Sequence, residues 1–138
     1  MRSFGSETIR DEVILLARIL LVALFLIFGW GKITNYAGTV GYMAQTGVPM
    51  APVAAAVAIL VEVFVSLAAL FGVLTRPFAV ILALYTLATG FIGHHYWTMT
   101  GAAQYEAEIN FYKNVSIMGG FLLLYVTGAG KYSIDAKL

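Results

Sequence analysis

Long apolar runs separated by short polar stretches set the pattern of this chain. Four runs approach the roughly 20 residues a helix needs to cross the hydrocarbon core of a bilayer. They predict transmembrane helices over about 13–32, 50–73, 77–96 and 111–127. Pro49 and Pro52 suit a first helical turn, where a missing N–H costs little, and Gly72 suits a helix end. Thr75 is the expected N-cap of the third span, with Pro77 just inside its start. Gly128-Ala129-Gly130 stops the fourth. Only a few residues around 74–76 join spans two and three, so these form a tight antiparallel hairpin. Residues 19–28 also have the look of a signal-peptide core followed by Gly29 and Gly31. Glu7, Asp11 and Glu12 ahead of it, and three further apolar runs behind, argue for a retained span.

The two long connections, 33–49 and 97–110, carry patterns of their own. Asn35 is placed to cap a short helix ending near Gly47, with Tyr36, Val40, Met43 and Ala44 on one face. That predicts an interfacial helix lying on the bilayer. Tyr96, Trp97, Tyr105, Phe111 and Tyr112 predict an aromatic belt at the headgroup level. Phe28-Gly29-Trp30-Gly31-Lys32 and Phe91-Ile92-Gly93-His94-His95 end corresponding helices, a short likeness that suggests a parallel repeat of two hairpins.

Composition agrees with lipid as the solvent. The 138 residues are 61% hydrophobic and 11% charged, against about 25% charged in an average soluble domain. The fold class expected is therefore an all-α membrane protein. It is a single domain, a four-transmembrane-helix bundle with a short interfacial helix in the first outer connection. Arg2, Arg10, Arg76, Lys131 and Lys137 fall on one side of the spans, Lys32 and Lys113 on the other. The positive-inside rule then puts both termini in the cytoplasm. A net charge of +1 offers no basic surface for nucleic acid, and the absence of cysteine excludes thiolate metal sites and dithiol chemistry within the chain. Walker, dinucleotide, nucleophile-elbow and zinc motifs are absent, so no independent catalytic motif is found.

Glu62 is the most informative residue, because a carboxylate in mid-membrane costs at least ~2.5 kcal/mol when ionised. Ala51, Ala55, Ala58, Glu62, Ser66 and Ala69 recur at spacings of three and four, a small-residue stripe that lets another helix approach. Glu62 therefore faces protein. It reads as a proton-handling or ligand-binding acid, or as a structural partner for a base. Arg18 shares a helix face with Phe25, Gly29 and Lys32 and is the first candidate partner, although its depth differs from that of Glu62 by about 8 Å at 1.5 Å per residue. Alternatively Arg18 snorkels to the cytoplasmic interface.

Tyr85, Thr86 and Thr89 lie near the depth of Glu62, and Asn114 and Ser116 are placed to join them, each hydroxyl serving either a site or only a helix carbonyl. Ala83, Thr86, Gly90 and Gly93 form a second close-packing face. Lys32, His94, His95 and Lys113 suggest a basic ring at the outer mouth, or ordinary interfacial anchoring. His94 and His95 diverge by 100° and cannot readily chelate one metal, and a bis-histidine haem would need histidines on facing helices. No metal and no intrinsic cofactor is expected.

Leu16-Ala17-Arg18, Phe28-Gly29-Trp30-Gly31-Lys32, Gly38-Thr39-Val40-Gly41-Tyr42-Met43, Glu62 and Leu74-Thr75-Arg76-Pro77 make the start of an ordered series. It continues through Gly93-His94-His95-Tyr96-Trp97, Asn110-Phe111-Tyr112-Lys113-Asn114 and Ser133-Ile134-Asp135. In order and spacing this series resembles the short bacterial inner-membrane members of the DoxX family over nearly the whole chain. The resemblance implies a multi-pass protein of the bacterial cytoplasmic (inner) membrane. It also implies association with quinol-oxidase or thiosulfate:quinone oxidoreductase chemistry, through a noncovalent quinone or a redox partner protein. Two other functions compete with that redox-associated subunit. One is a noncatalytic membrane scaffold or assembly factor. The other is a small proton-coupled transporter, which with four helices would need a homo-oligomer. The lipid bilayer is the partner common to all three.

Overall fold

A computed structural model describes residues 7–138, and every described element is helical. Arg2, counted above among the cytoplasmic cations, lies outside the described residues. Helix α1 (Arg10–Thr34) buries Ile14, Arg18, Val22, Phe25 and Gly29, the one face that a spacing of three and four produces. Asn35 ends α1 and starts α2 (Tyr36–Gln45): its N–H bonds Gly31 O at 3.1 Å, and its side chain accepts from Gly38 N at 3.3 Å. A Cβ on Gly38 would stand 2.4 Å from the Asn35 amide, so the cap needs that glycine. Helix α2 buries no residue fully and leans on the next helix, with Tyr36 Oη donating to Pro52 O at 2.7 Å.

The second long helix (Ala51–Phe71) is α3 (Ala51–Ile59), a π-helical segment (Leu60–Val65) and α4 (Ser66–Phe71). Its stripe of Ala51, Ala55, Ala58, Glu62, Ser66 and Ala69 is buried throughout. Gly72 at φ +74° turns the chain, and a Cβ there would strike Ser133 at 2.2 Å. Helix α5 (Thr75–Gly93) buries Ala79, Leu82, Ala83, Thr86 and Gly90, while Gly93 at its end is exposed. Helix α6 (Gly101–Thr127) begins ten residues before the expected span. Residues 102–108 include Ala102, Ala103, Gln104, Glu106, Ala107 and Glu108, polar in part but good helix formers. Their polarity had read as a connection.

Three helices, Arg10–Thr34, Ala51–Phe71 and Thr75–Thr98, are long and apolar enough to cross a membrane by length and composition. Val22, Phe25, Val61, Leu82, Phe121 and Leu124 are prominent in the core between them and α6. Leu20, Ile27, Leu84, Leu123 and Val126 point outward and stay exposed, as lipid-facing side chains do.

Candidate functional site

Glu62 sits in the π-helical segment of the second long helix. A π turn inserts one extra residue and recurs at functional positions. Ser66 Oγ donates to Val61 O at 3.4 Å, five residues back, which helps satisfy the widened turn. Helix α1 crosses this turn at Gly29, where a Cβ would stand 2.9 Å from Glu62 Cβ and 2.8 Å from Val63 Cγ2. Only a residue without a side chain permits that approach. One turn further on, Lys32 Nζ donates to Glu62 Oε1 at 2.8 Å. From the opposite side Tyr85 Oη donates to Glu62 Oε2 in a short hydrogen bond. The side chain of Glu62 is 8% exposed and that of Lys32 23%, so the pair is buried at one end and open at the other. Phe25 closes the inner side, packed on Tyr85 at 6.4 Å and on Phe121 at 5.6 Å between ring centroids.

Three titratable groups thus share two hydrogen bonds in a low-dielectric setting. Charge-assisted bonds of this kind are short and strong.

Arg18, the first candidate partner for Glu62, goes elsewhere. Its Nε donates to Ala69 O at 3.2 Å, its Nη1 to Ala129 O and Tyr132 O at 2.8 Å each, and its Nη2 to Leu70 O. The side chain is buried and stitches α1 to the end of α4 and to the C-terminal segment. The alternative of snorkelling to the interface does not describe it either.

Thr86 and Thr89 do not reach Glu62. Thr86 Oγ1 donates to Leu82 O at 2.6 Å and Thr89 Oγ1 to Thr86 O at 3.1 Å. Asn114 Nδ2 donates to Thr86 O at 3.0 Å and to Thr89 Oγ1 at 3.3 Å, so this group ties α6 to α5. Ser116 stays outside it, exposed on α6.

The four residues expected to form a basic ring do not assemble into one. Lys32 turns inward to Glu62, and His95 Nδ1 lies 2.6 Å from Thr98 Oγ1. Lys113 lines an open hollow of about 660 Å³ along α6 with Tyr105, Glu108 and Tyr112. His94 ends α5, its N–H bonded to Gly90 O. Of the expected aromatic belt, Tyr96, Trp97, Phe111 and Tyr112 pack on one another largely edge to face, Trp97 and Phe111 also meet Phe91, and Tyr105 stands exposed.

Asp135 was significant in the sequence only through family resemblance, and the structure gives it a task. Its carboxylate accepts from Leu74 N at 2.8 Å and Thr75 N at 2.9 Å, so the start of α5 is capped from the C-terminal segment. Thr75 itself begins the helix, with a buried hydroxyl. Burial pushes the Asp135 carboxyl up, but the Thr75 and Leu74 amides and the Arg18 charge outweigh it and hold it below its ordinary range.

Comparison with known proteins adds relatives. A family model described as DoxX matches residues 13–95. Inner membrane protein YphA of Escherichia coli is 47% identical over 99% of this chain and 98% of its own length. Inner membrane protein YqjF of the same organism is 47% identical over 96% of each. A Surfeit locus protein 4 homolog of Schizosaccharomyces pombe is 34% identical over 48% of this chain and 22% of its own. No solved structure matches the chain.

Proposed function

The chain belongs to the DoxX family, and we propose that it is a redox-associated subunit of the bacterial inner membrane that holds a quinone-like ligand, or a partner enzyme's headgroup-bearing site, at Lys32, Glu62 and Tyr85. One observation carries this reading: a buried carboxylate held between an ammonium and a phenol on a π turn. Ionisable groups inside a membrane are functional by default. The donor set fits a quinone. Lys32 and Tyr85 are donors for a carbonyl oxygen, and Glu62 is an acceptor for the proton of a quinol hydroxyl. The electrons belong to a redox partner protein.

The same proposal includes the arrangement in the bilayer. Helix α6 supplies a fourth crossing, α2 lies on the outer interface, and both termini are cytoplasmic. The four-element helical bundle, the K/R asymmetry and the printed names of the two Escherichia coli relatives support it. Lys32 and Tyr85 then meet Glu62 in the outer half of the membrane.

The test is to purify the protein in mild detergent and examine the absorption spectrum and the organic extract by mass spectrometry, beside Glu62→Ala and Glu62→Gln prepared identically. A stoichiometric quinone in the wild type, lost from Glu62→Ala, is the expected result. A wild type that carries no specific lipid-soluble ligand and takes up none on reconstitution would sink the reading. One observation then favours a scaffold: every charge described in the core is already satisfied, Arg18 by carbonyls and Glu62 by Lys32 and Tyr85.

A further inference from the structure

At the end of the bundle away from Glu62, a hollow of about 400 Å³ opens between α1, the end of α4 and the C-terminal segment. Its lining combines two chemistries. Leu15, Ile19, Leu70 and Phe71 give apolar walls, and Ile19 and Phe71 continue onto the exposed, lipid-facing surface. Arg18, Lys131 and Lys137 bring three positive charges, and among the described residues no carboxylate lines the hollow. The acids nearby are engaged outside it. Asp135 caps α5, and Glu12 accepts from Tyr132 Oη at 3.0 Å and reaches Lys131 Nζ only at 3.9 Å. Four of the five N–H groups of Arg18 are used on carbonyls among the described residues, and its charge also acts on the Asp135 carboxylate. The lining of the hollow itself is cationic, directly above apolar walls.

We propose that this hollow binds the phosphodiester headgroup of an anionic phospholipid, with its acyl chains lying along Ile19 and Phe71. A soluble anion would gain nothing from the walls, and a zwitterionic lipid would gain little from the rim. The position suits the boundary between headgroups and acyl chains. Ile19 lies nine residues into α1, about 13 Å at 1.5 Å per residue, and Phe71 is the last residue of α4. Lys131 and Lys137 are exposed and carry long apolar stems, so their charges reach outward to the phosphate.

The experiment is native mass spectrometry of the full chain titrated with phosphatidylglycerol, phosphatidylcholine or inorganic phosphate in mild detergent. The wild type is expected to retain phosphatidylglycerol in preference to phosphatidylcholine. The double substitution Lys131→Gln, Lys137→Gln is expected to weaken that retention by roughly ten- to thirty-fold. Lys113→Gln, a cation at the other end, is expected to leave it unchanged. Equal retention of the two lipids by the wild type, or an unchanged preference in the double variant, overturns the assignment. Phosphate binding that the double variant loses, with lipid retention untouched, would reassign the hollow to a soluble anion. Glu62→Ala is expected to keep the lipid preference, so this inference and the quinone reading can fail separately.

Discussion

The two ends of the bundle bury charge in opposite ways. At one end Arg18 donates to the carbonyls of Ala69, Leu70, Ala129 and Tyr132, and Asp135 accepts from the amides of Leu74 and Thr75. At the other end Lys32, Glu62 and Tyr85 bond to one another. A charge held by backbone groups of another segment fixes the path of the chain. A charge held by another side chain fixes only the two side chains. The Arg18 end is therefore fastened through backbone and the Glu62 end through side chains alone, although both look like buried ions in a membrane sequence.

The contrast can be broken most directly at Arg18. Arg18→Met leaves four carbonyls without their donor, at about 1–3 kcal/mol for each that stays dry, so a total loss above about 3 kcal/mol is expected in detergent thermal unfolding. Arg18→Lys should rescue little, because one ammonium cannot span four acceptors in two segments. A loss under about 1 kcal/mol would mean that water replaces the guanidinium and that the fastening is dispensable.

Gly29→Val comes next, at about 1–3 kcal/mol for overpacking against Glu62 and Val63. It should also push α1 off the π turn and lower ligand retention, which an extract from the same preparation would reveal. Glu62→Ala is expected to cost about 1–3 kcal/mol. That is less than for a sealed ion pair, since Lys32 is 23% exposed and can turn toward water. Adding Lys32→Met should recover part of the loss. A double-mutant cycle with no coupling would show that the two charges ignore each other.

Asp135→Asn is expected to cost about 1 kcal/mol, the usual value of a lost cap. Its pH dependence has a defined sign. The Asp135 carboxyl is held below its ordinary value in the folded protein, so its contribution is full above the unfolded pKa of about 4 and disappears as pH falls through the lower folded value. Unfolding followed from pH 6 down to pH 2 should therefore bring the wild type and Asp135→Asn together; a gap that stays constant would remove the carboxylate from the cap. Lys113→Gln, on the open face of α6, should change stability by no more than about 0.5 kcal/mol and leave any ligand in place.

Much of this was legible in residue spacing. The stripe from Ala51 to Ala69 placed Glu62 inward, and the face from Arg18 to Lys32 placed both cations of α1 inward, because helix periodicity is a local property. Asn35 announced the start of α2. Polarity was the weaker guide. It hid the first ten residues of α6, where helix propensity prevailed over charge.

The sequence by itself determined which faces of α1 and of the second long helix turn inward, since lipid outside and a periodic helix inside leave few choices. Which buried group meets which was decided only by the tertiary structure. The π turn shifts Glu62 by one residue's worth of rotation, and Gly29 marks where α1 comes close enough for Lys32 to reach it. The C-terminal segment folds back across the chain to occupy Arg18 and to cap α5. These are contacts between residues 30, 61 and 111 positions apart. A local pattern carries no record of them, because crossing depth and loop path are set by the packing of all the helices at once.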